Sequence, residues 1–332
     1  MYAGIVTGAK GQDGSYLCEL LEEKGYRVVK FIGDITNYHE IYETIKQCVD
    51  FEKIEVYNLA AKIHYDSPPK TFHVNTTGIL NIIEAVKSIG IQSKCRIFQA
   101  SSSEIFANTK STWSTPQTIH TMRGPRGIYG ISKESADSLV KYYRDNEEIF
   151  VCSGILYNHE SPRRPDTYVT QKIIKGLQSG ECFQIGNLES RRDWGHAKDY
   201  AEMQWLMLQQ KKPSDLVVSS DKQYSVRKFV ELSCKALKIK IVWKNKGTKE
   251  VGVIKNFDRK KTPNLKINQT IIRIDKKYYR PTEVENLKGN SSLARKILKW
   301  KPKISLKSMI DEMIKEDVYL SKIELNKNDI KK

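Results

Sequence analysis

Residues Tyr2 to Thr7 form an apolar run that leads without a break into Gly8-Ala-Lys-Gly11-Gln-Asp-Gly14. A helical pattern from about Ser15 to Lys24 follows at once. Glycines at this spacing let the backbone turn tightly after a strand and come close to a pyrophosphate at the N-terminus of the next helix. Such a stretch could also be a plain turn. Its position between the first strand and the first helix of the chain favours a dinucleotide site.

The rest of the first half keeps the same rhythm. Tyr26 to Ile32 reads as a second strand, Tyr38 to Val49 as a helix, and Ile54 to Ala60 as a strand that runs into Ala61-Lys62-Ile63-His64. A helix over about Thr76 to Gly90 leads to a strand over Cys95 to Ala100, and Phe150 to Tyr157 reads as another. Strands that alternate with helices at this spacing imply βαβ units, a doubly wound parallel sheet and an α/β fold. Ligands then bind at the carboxyl ends of the strands. After Arg164 the pattern loosens, which suits a second, smaller domain over 165–320, with segments near 192–220 and 280–290 returning to the domain formed by 1–164. Residues 244–270 are lysine-rich and read as an exposed loop or hairpin, and 321–332 as a loose tail.

The chemistry centres on Ser101-Ser-Ser-Glu104 and on Tyr129-Gly-Ile-Ser-Lys133. A tyrosine and a lysine four apart share one face of a helix. The ammonium is expected to pull the phenol down towards the working pH, which would make Tyr129 a general base for an alcohol. Ser102 adds a hydroxyl to polarise the same oxygen, and Glu104 a carboxylate for a second proton transfer. Taken alone, Tyr-x-x-x-Lys is most often an ordinary solvated helix face, so its neighbours carry the argument. Arginines in 186–200 and 278–284 suit a diphosphate, which they grip bidentately, and equally suit surface salt bridges.

Composition excludes other classes. The chain is 39% hydrophobic and has no run of the roughly 18 apolar residues that a membrane span needs. It starts on a core strand rather than on a secretion signal. Six widely spaced cysteines without a C-x-x-C pair read as buried free thiols in a reducing, cytoplasmic compartment, with no metal site. The net charge of +17 comes from scattered lysines, without a basic arm or recognition helix, and points to an anionic small substrate rather than nucleic acid.

Gly8 to Leu17, Ser101 to Glu104, Tyr129 to Lys133, Asn158-His-Glu-Ser-Pro-Arg-Arg164, Arg191 to Tyr200 and Tyr278 to Val284 stand here in order. Together they resemble the GDP-mannose 4,6-dehydratases, which are extended short-chain dehydrogenases/reductases with a Rossmann-type fold. The likeness runs to about Pro302. It implies NADP as cofactor, held by Gly8, Gly11, Gln12, Asp13, Gly14, Asp34, Ile35, Leu59, Ala60, Ala61, Lys133, His159 and Arg164. It implies Ser102, Glu104, Tyr129 and Lys133 as catalytic residues. Asn158, Lys172, Arg192, Arg280 and Glu283 would lie at the GDP-sugar.

Three departures stand out. Ser102 replaces a threonine, and Pro125-Arg-Gly-Ile128 replaces Pro-Arg-Ser-Pro. The family's strand–helix–strand-sized segment after strand two, whose arginines read the 2′-phosphate and touch neighbouring subunits, has no counterpart before Gly33-Asp34. That leaves NAD open as cofactor and favours a dimer over a tetramer. Two other readings remain: a sugar-nucleotide reductase or epimerase, and a cofactor-binding protein with weakened activity.

Overall fold

The computed structural model describes residues 1–63, 67–106, 116–278 and 287–316. Among these, six parallel strands make the main sheet: β1 (Tyr2–Thr7), β2 (Arg27–Phe31), β3 (Lys53–Asn58), β4 (Cys95–Ser102), β5 (Val151–Leu156) and, later in the chain, β10 (Leu216–Val218). Their order across the sheet is β10-β5-β4-β3-β1-β2. Helices connect them: α1 (Gln12–Glu23), α2 (Tyr38–Lys46), α3 (Pro68–Ile89) and α4 (Ile128–Glu147). The doubly wound α/β fold expected from the alternation is therefore present.

Every strand but the edge strand β2 is buried over most of its length, because helices cover both faces of the sheet. On one face α2, α3 and α4 close a core around Ile5, Ile54, Ile79, Ile82 and Val140. On the other, α1 and α6 (Ala197–Leu208) close a second core around Leu17, Leu21, Tyr57, Phe98 and Met203. That second core also takes Ala294, Leu298 and Trp300, so later parts of the chain pack back onto the sheet.

The sheet ends at β2. It pairs with β1 from Ala3↔Arg27 to Thr7↔Phe31, and the next strand, β3, pairs with the other side of β1. Residues 32–52 contain α2 and no strand, so the crossover to the other half of the sheet follows the second strand directly. This is where the sequence lacks the family's segment. Strand order reverses between β1 and β3, and Thr7 and Asn58 stand side by side at that point.

The α3 helix begins eight residues earlier than its apolar pattern suggested. Ser67 precedes it, and prolines occupy its first positions, where a missing N–H costs nothing. A smaller sheet, ordered β12-β13-β14-β7, forms the second layer system: β7 (Phe183–Ile185), β12 (Ile239–Lys244), β13 (Val251–Phe257) and β14 (Thr270–Ile274). It packs against α5 (Val169–Ser179), α7 (Val226–Ala236) and a helix over 306–316 through Ile173, Phe229, Ile272 and Met309. The lysine-rich stretch is in part a hairpin, since β12 and β13 pair antiparallel. The expected tail over 321–332 lies outside the described residues.

Candidate active site

The glycine turn after β1 is compact. Gly8 has φ of +67°, and a Cβ there would lie 2.9 Å from the backbone nitrogen of Ala60. A Cβ on Gly14 would lie 2.3 Å from the Gly8 carbonyl oxygen and 2.7 Å from Ala9 Cα. Gly11 N–H donates to Gly8 O at 2.9 Å, and α1 starts one residue later with no side chain capping it. The N–H groups of this helix end are therefore free of any side-chain cap and suit an anion. Leu59 and Ala60 donate their N–H groups to Thr7 Oγ1 at 3.1 and 3.0 Å, which presses the segment through Ala61 against the turn. The donor set and the shape fit a dinucleotide pyrophosphate.

Gln12 and Asp13 link this turn to the segment after β5. Gln12 Nε2 donates to His159 O at 3.1 Å, and its Oε1 accepts from Ser161 Oγ at 2.8 Å. His159 Nε2 is 2.7 Å from Asp13 Oδ2, and Nδ1 is 2.6 Å from Tyr157 O. Burial would raise the Asp13 carboxyl, but His159 opposite outweighs it and holds Asp13 below its ordinary value. Arg164 stacks 3.6 Å over the Tyr168 ring. Its Nε is 3.1 Å from Glu160 Oε2 but makes no aligned hydrogen bond among the described residues.

Asp34 and Ile35, expected together beside the adenine, do different things. The Asp34 carboxylate accepts from Thr36 N at 2.9 Å and Thr36 Oγ1 at 2.8 Å, which holds its carboxyl below the ordinary value. Ile35 is buried against Gly78, where a Cβ would meet it at 3.0 Å, and its carbonyl accepts from Asn81 Nδ2 at 3.1 Å. Arg27 opens β2 at the rim opposite the turn, and Lys30 is paired with Glu22 at 3.0 Å.

The residues expected to transfer protons converge between β4 and α4. Ser102 ends β4, and its Oγ accepts from Glu104 N at 3.2 Å and lies within hydrogen-bond reach of the Tyr129 phenol. Gly130 permits the approach: a Cβ there would lie 2.5 Å from the Glu104 carbonyl oxygen. Lys133, one turn past Tyr129, is 2% exposed, and its Nζ donates to Ala100 O at 2.8 Å. Burial pulls its ammonium down to about 8, against an opposing lift from Asp137.

The expected depression of Tyr129 by Lys133 is not found. The Lys133 nitrogen is 5.8 Å from the Tyr129 ring centre and is committed to Ala100. Burial, then the charge of Glu104, pushes the phenol above its ordinary value, and only Ser102 and Arg164 draw it back. In this closed-in site desolvation outweighs the lysine.

Sequence reading missed several polar residues that hold this arrangement. Asn75, buried on α3, donates to Ser132 Oγ at 2.8 Å and to Lys62 O at 2.9 Å, and Ser132 Oγ donates to Tyr129 O at 2.7 Å. Asp137 continues the Tyr129–Lys133 stripe by one more turn. The four-residue period would have found it.

Among the residues assigned to the sugar nucleotide, Asn158 accepts the Gly195 N–H on its carbonyl at 2.9 Å, beside His159. Lys172 lies on α5 with Nζ 3.7 Å from the centre of the Tyr278 ring, whose phenol it holds below the ordinary value. Arg192 is in β8 (Arg191–Asp193), paired with Tyr224 of β11 (Gln223–Ser225). Arg280 and Glu283, and His64 after β3, lie outside the described residues.

Known proteins resemble the chain in sequence and in fold. The family model described as GDP-mannose 4,6 dehydratase matches residues 5–47 and 30–313, two stretches that overlap around β2 and α2. The GDP-mannose 4,6-dehydratase of Vibrio cholerae is 37% identical over 352 aligned positions, covering 95% of this chain and 93% of its own. The human GDP-mannose 4,6 dehydratase is 36% identical, with 97% and 93% covered. The aligned positions outnumber the 332 residues here, so the relatives carry stretches without a counterpart. Two solved structures share the fold. The dTDP-glucose 4,6-dehydratase of Bacillus anthracis in complex with NAD has a TM-score of 0.75 at 17% identity, covering 95% of this chain and 96% of that one. RMD from Pseudomonas aeruginosa complexed with NADPH has a TM-score of 0.72 at 17% identity, covering 94% and 98%. With motifs, sheet order and near full-length relatives in agreement, the chain belongs to the GDP-mannose 4,6-dehydratase family.

Proposed function

We propose that this chain removes water from GDP-mannose to give GDP-4-dehydro-6-deoxy-mannose, with residues 1–164 holding the cofactor and most of 165–320 the GDP-sugar. The observation that carries this reading is the meeting of Ser102, Glu104 and Tyr129 at the rim of the sheet that also carries the glycine turn. A nicotinamide cofactor, when bound, supplies the hydride acceptor and donor that the internal redox cycle requires. Gly8, Gly11 and Gly14 would admit its pyrophosphate to the end of α1, and Gln12, Asp13, His159 and Arg164 would help to hold it.

Tyr129 takes the proton from the sugar O4 while Ser102 holds that oxygen. A raised phenol is a strong base once ionised, and positioning by Ser102 compensates for the small ionised fraction. The C4 ketone acidifies the C5 hydrogen, which Glu104 removes. The same carboxyl delivers a proton to the departing C6 hydroxyl, so water leaves without free hydroxide. Lys133 fixes the backbone at Ala100 and supplies positive charge beneath the tyrosine.

A reductase or epimerase needs no carboxylate to eliminate water, so Glu104 favours dehydration over that alternative. The missing segment after β2 supports relaxed choice between NADP and NAD, and a dimer. Five of the six free cysteines are buried and Cys182 is exposed, and this free-thiol set supports a reducing, cytoplasmic setting; no described helix is long and apolar enough to cross a membrane. The test is incubation of the purified protein with GDP-mannose in deuterated water. The expected product has lost the mass of water and carries deuterium at C5. Unchanged GDP-mannose after cofactor loading would overturn the reading.

A further inference from the structure

Beneath the proton-transfer residues lies a buried carboxylate that their chemistry does not use. Asp137 is 2% exposed and stands one turn beyond Lys133 on α4. Its Oδ2 accepts from Ser101 Oγ at 2.7 Å and faces Arg123 Nη1 at 3.4 Å, and its Oδ1 accepts from Ser153 Oγ at 2.7 Å. Four pieces of the molecule therefore meet at one side chain: the end of β4 next to Ser102, the middle of β5, the segment before α4, and α4 itself. The segment carrying Arg123 is tied to the Glu104 turn as well, since Gly124 N–H donates to Ile105 O at 3.0 Å.

We propose that Asp137 is a positioning residue for the reaction, a fixed counter-charge that keeps Lys133 an ammonium and locks the Ser102–Glu104 turn in register with Tyr129. The inference rests on the assignment of those three as the proton-transfer residues.

The electrostatics agree with the geometry. Burial pushes the Asp137 carboxyl up to about 6, the hydrogen bonds from Ser101 and Ser153 and the charge of Arg123 oppose the rise, and the pairing with Arg123 at 3.4 Å suits the ionised form. Lys133, pulled down to about 8 by burial, is lifted by Asp137 and by no other charge of comparable weight. The charged groups around the carboxylate are Lys133 on its own helix, Arg123 from the preceding segment, and Asp215 beyond Ser153. Asp215 is itself clamped by Arg144 at 2.6 and 2.9 Å, which blunts its field. A group whose folded-state value sits low because it is buried loses its proton sooner when its counter-charge is removed.

The experiment follows the ε-carbon of Lys133 by NMR in protein labelled with 13C-lysine, the resonance being assigned by its loss in Lys133→Arg. In Asp137→Asn the midpoint of that titration should fall by about one pH unit or more, and the alkaline limb of kcat should move down with it. Arg123→Gln removes the competing cation, leaves the carboxylate in place, and should move the midpoint the opposite way. It also serves if Asp137→Asn does not fold. A midpoint that stays put in a folded Asp137→Asn, or in Arg123→Gln where only that variant folds, overturns the proposal. The NMR titration needs no turnover. An unaltered protein that titrates as described yet leaves GDP-mannose untouched would sink the assigned reaction and not the role of Asp137.

Discussion

The two ends of the main sheet are built to different standards. At the β4–β5 side, buried polar groups brace one another from several elements. Asp137 joins Ser101, Ser153 and Arg123, while Asn75 joins Lys62 and Ser132. At the β2 side the sheet simply stops, and the loop that follows is anchored by buried Ile35 but otherwise held by exposed contacts such as Asp34 with Thr36 and Glu40. Buried networks of this kind are costly to disturb because each lost partner leaves another group unsatisfied in a low dielectric. Exposed contacts are replaced by water at little cost. The segment that the family resemblance leads one to expect is missing at this second end. On this comparison chemistry and cofactor choice should be separable properties of opposite ends of one sheet.

If the comparison holds, the largest losses come from the braced end. Tyr129→Phe and Glu104→Gln should each lower kcat by about a hundredfold to ten-thousandfold, the usual weight of a general acid or base. GDP-mannose should still bind, as seen by displacement of a fluorescent GDP analogue. A Glu104→Gln protein that turns over normally would remove the elimination role given to that carboxylate.

Gly14→Ala comes next and tests the hinge between the two ends. The new methyl would meet the Gly8 carbonyl oxygen and Ala9 Cα, both backbone, so neither can swing away. Overpacking of this kind costs about 1–3 kcal/mol. The expected result is a lower Tm and weakened binding of both NADP and NAD, measured by titration calorimetry. Unaltered affinity would place the pyrophosphate elsewhere.

Arg192→Ala, in the two-stranded β8–β11 sheet, should raise KM for GDP-mannose by about tenfold with kcat little changed, since a charge-assisted bond to a diphosphate contributes roughly that much. No change in KM returns Arg192 to a surface role.

How legible these two ends were in the sequence follows from the same contrast. The glycine turn, Ser102, Glu104, Tyr129 and Lys133 could be read because each sits in a local pattern set by strand, turn or helix period. The sheet order could be read because strands and helices alternate. Asn75, Arg123 and Ser153 could not, because nothing local marks a polar residue that is to be buried against a distant element. Nor could the balance of forces on Tyr129 be read. The spacing to Lys133 is visible in the sequence, but the burial that overrides it belongs to the closed fold. The start of α3 was hidden for a further reason: its first two turns hold Pro68 and Pro69, and the residues buried there, Thr71 and Asn75, are polar, so no apolar stripe marks them.

The smallest effect belongs to the β2 end, in the choice between NADP and NAD. Four basic residues could stand in for the arginines that the family resemblance implies at this place. Arg27 sits at the wrong rim of the sheet, and Lys30 is spent on Glu22. Lys10 in the glycine turn and Lys62 after β3 lie on the cofactor side. Against them stands Asp34, an anion kept ionised by its bonds to Thr36. A carboxylate that can accept from a ribose hydroxyl disfavours a 2′-phosphate, and the exposure of Asp34 screens that repulsion. The two influences leave discrimination within about tenfold either way. Titration of both cofactors into stripped protein should give such a ratio, and Asp34→Asn should shift it towards NADP by a few-fold. A preference for NADP beyond about a hundredfold would mean that a lysine at this end is braced as firmly as the residues around Asp137, and the contrast between the two ends would fail.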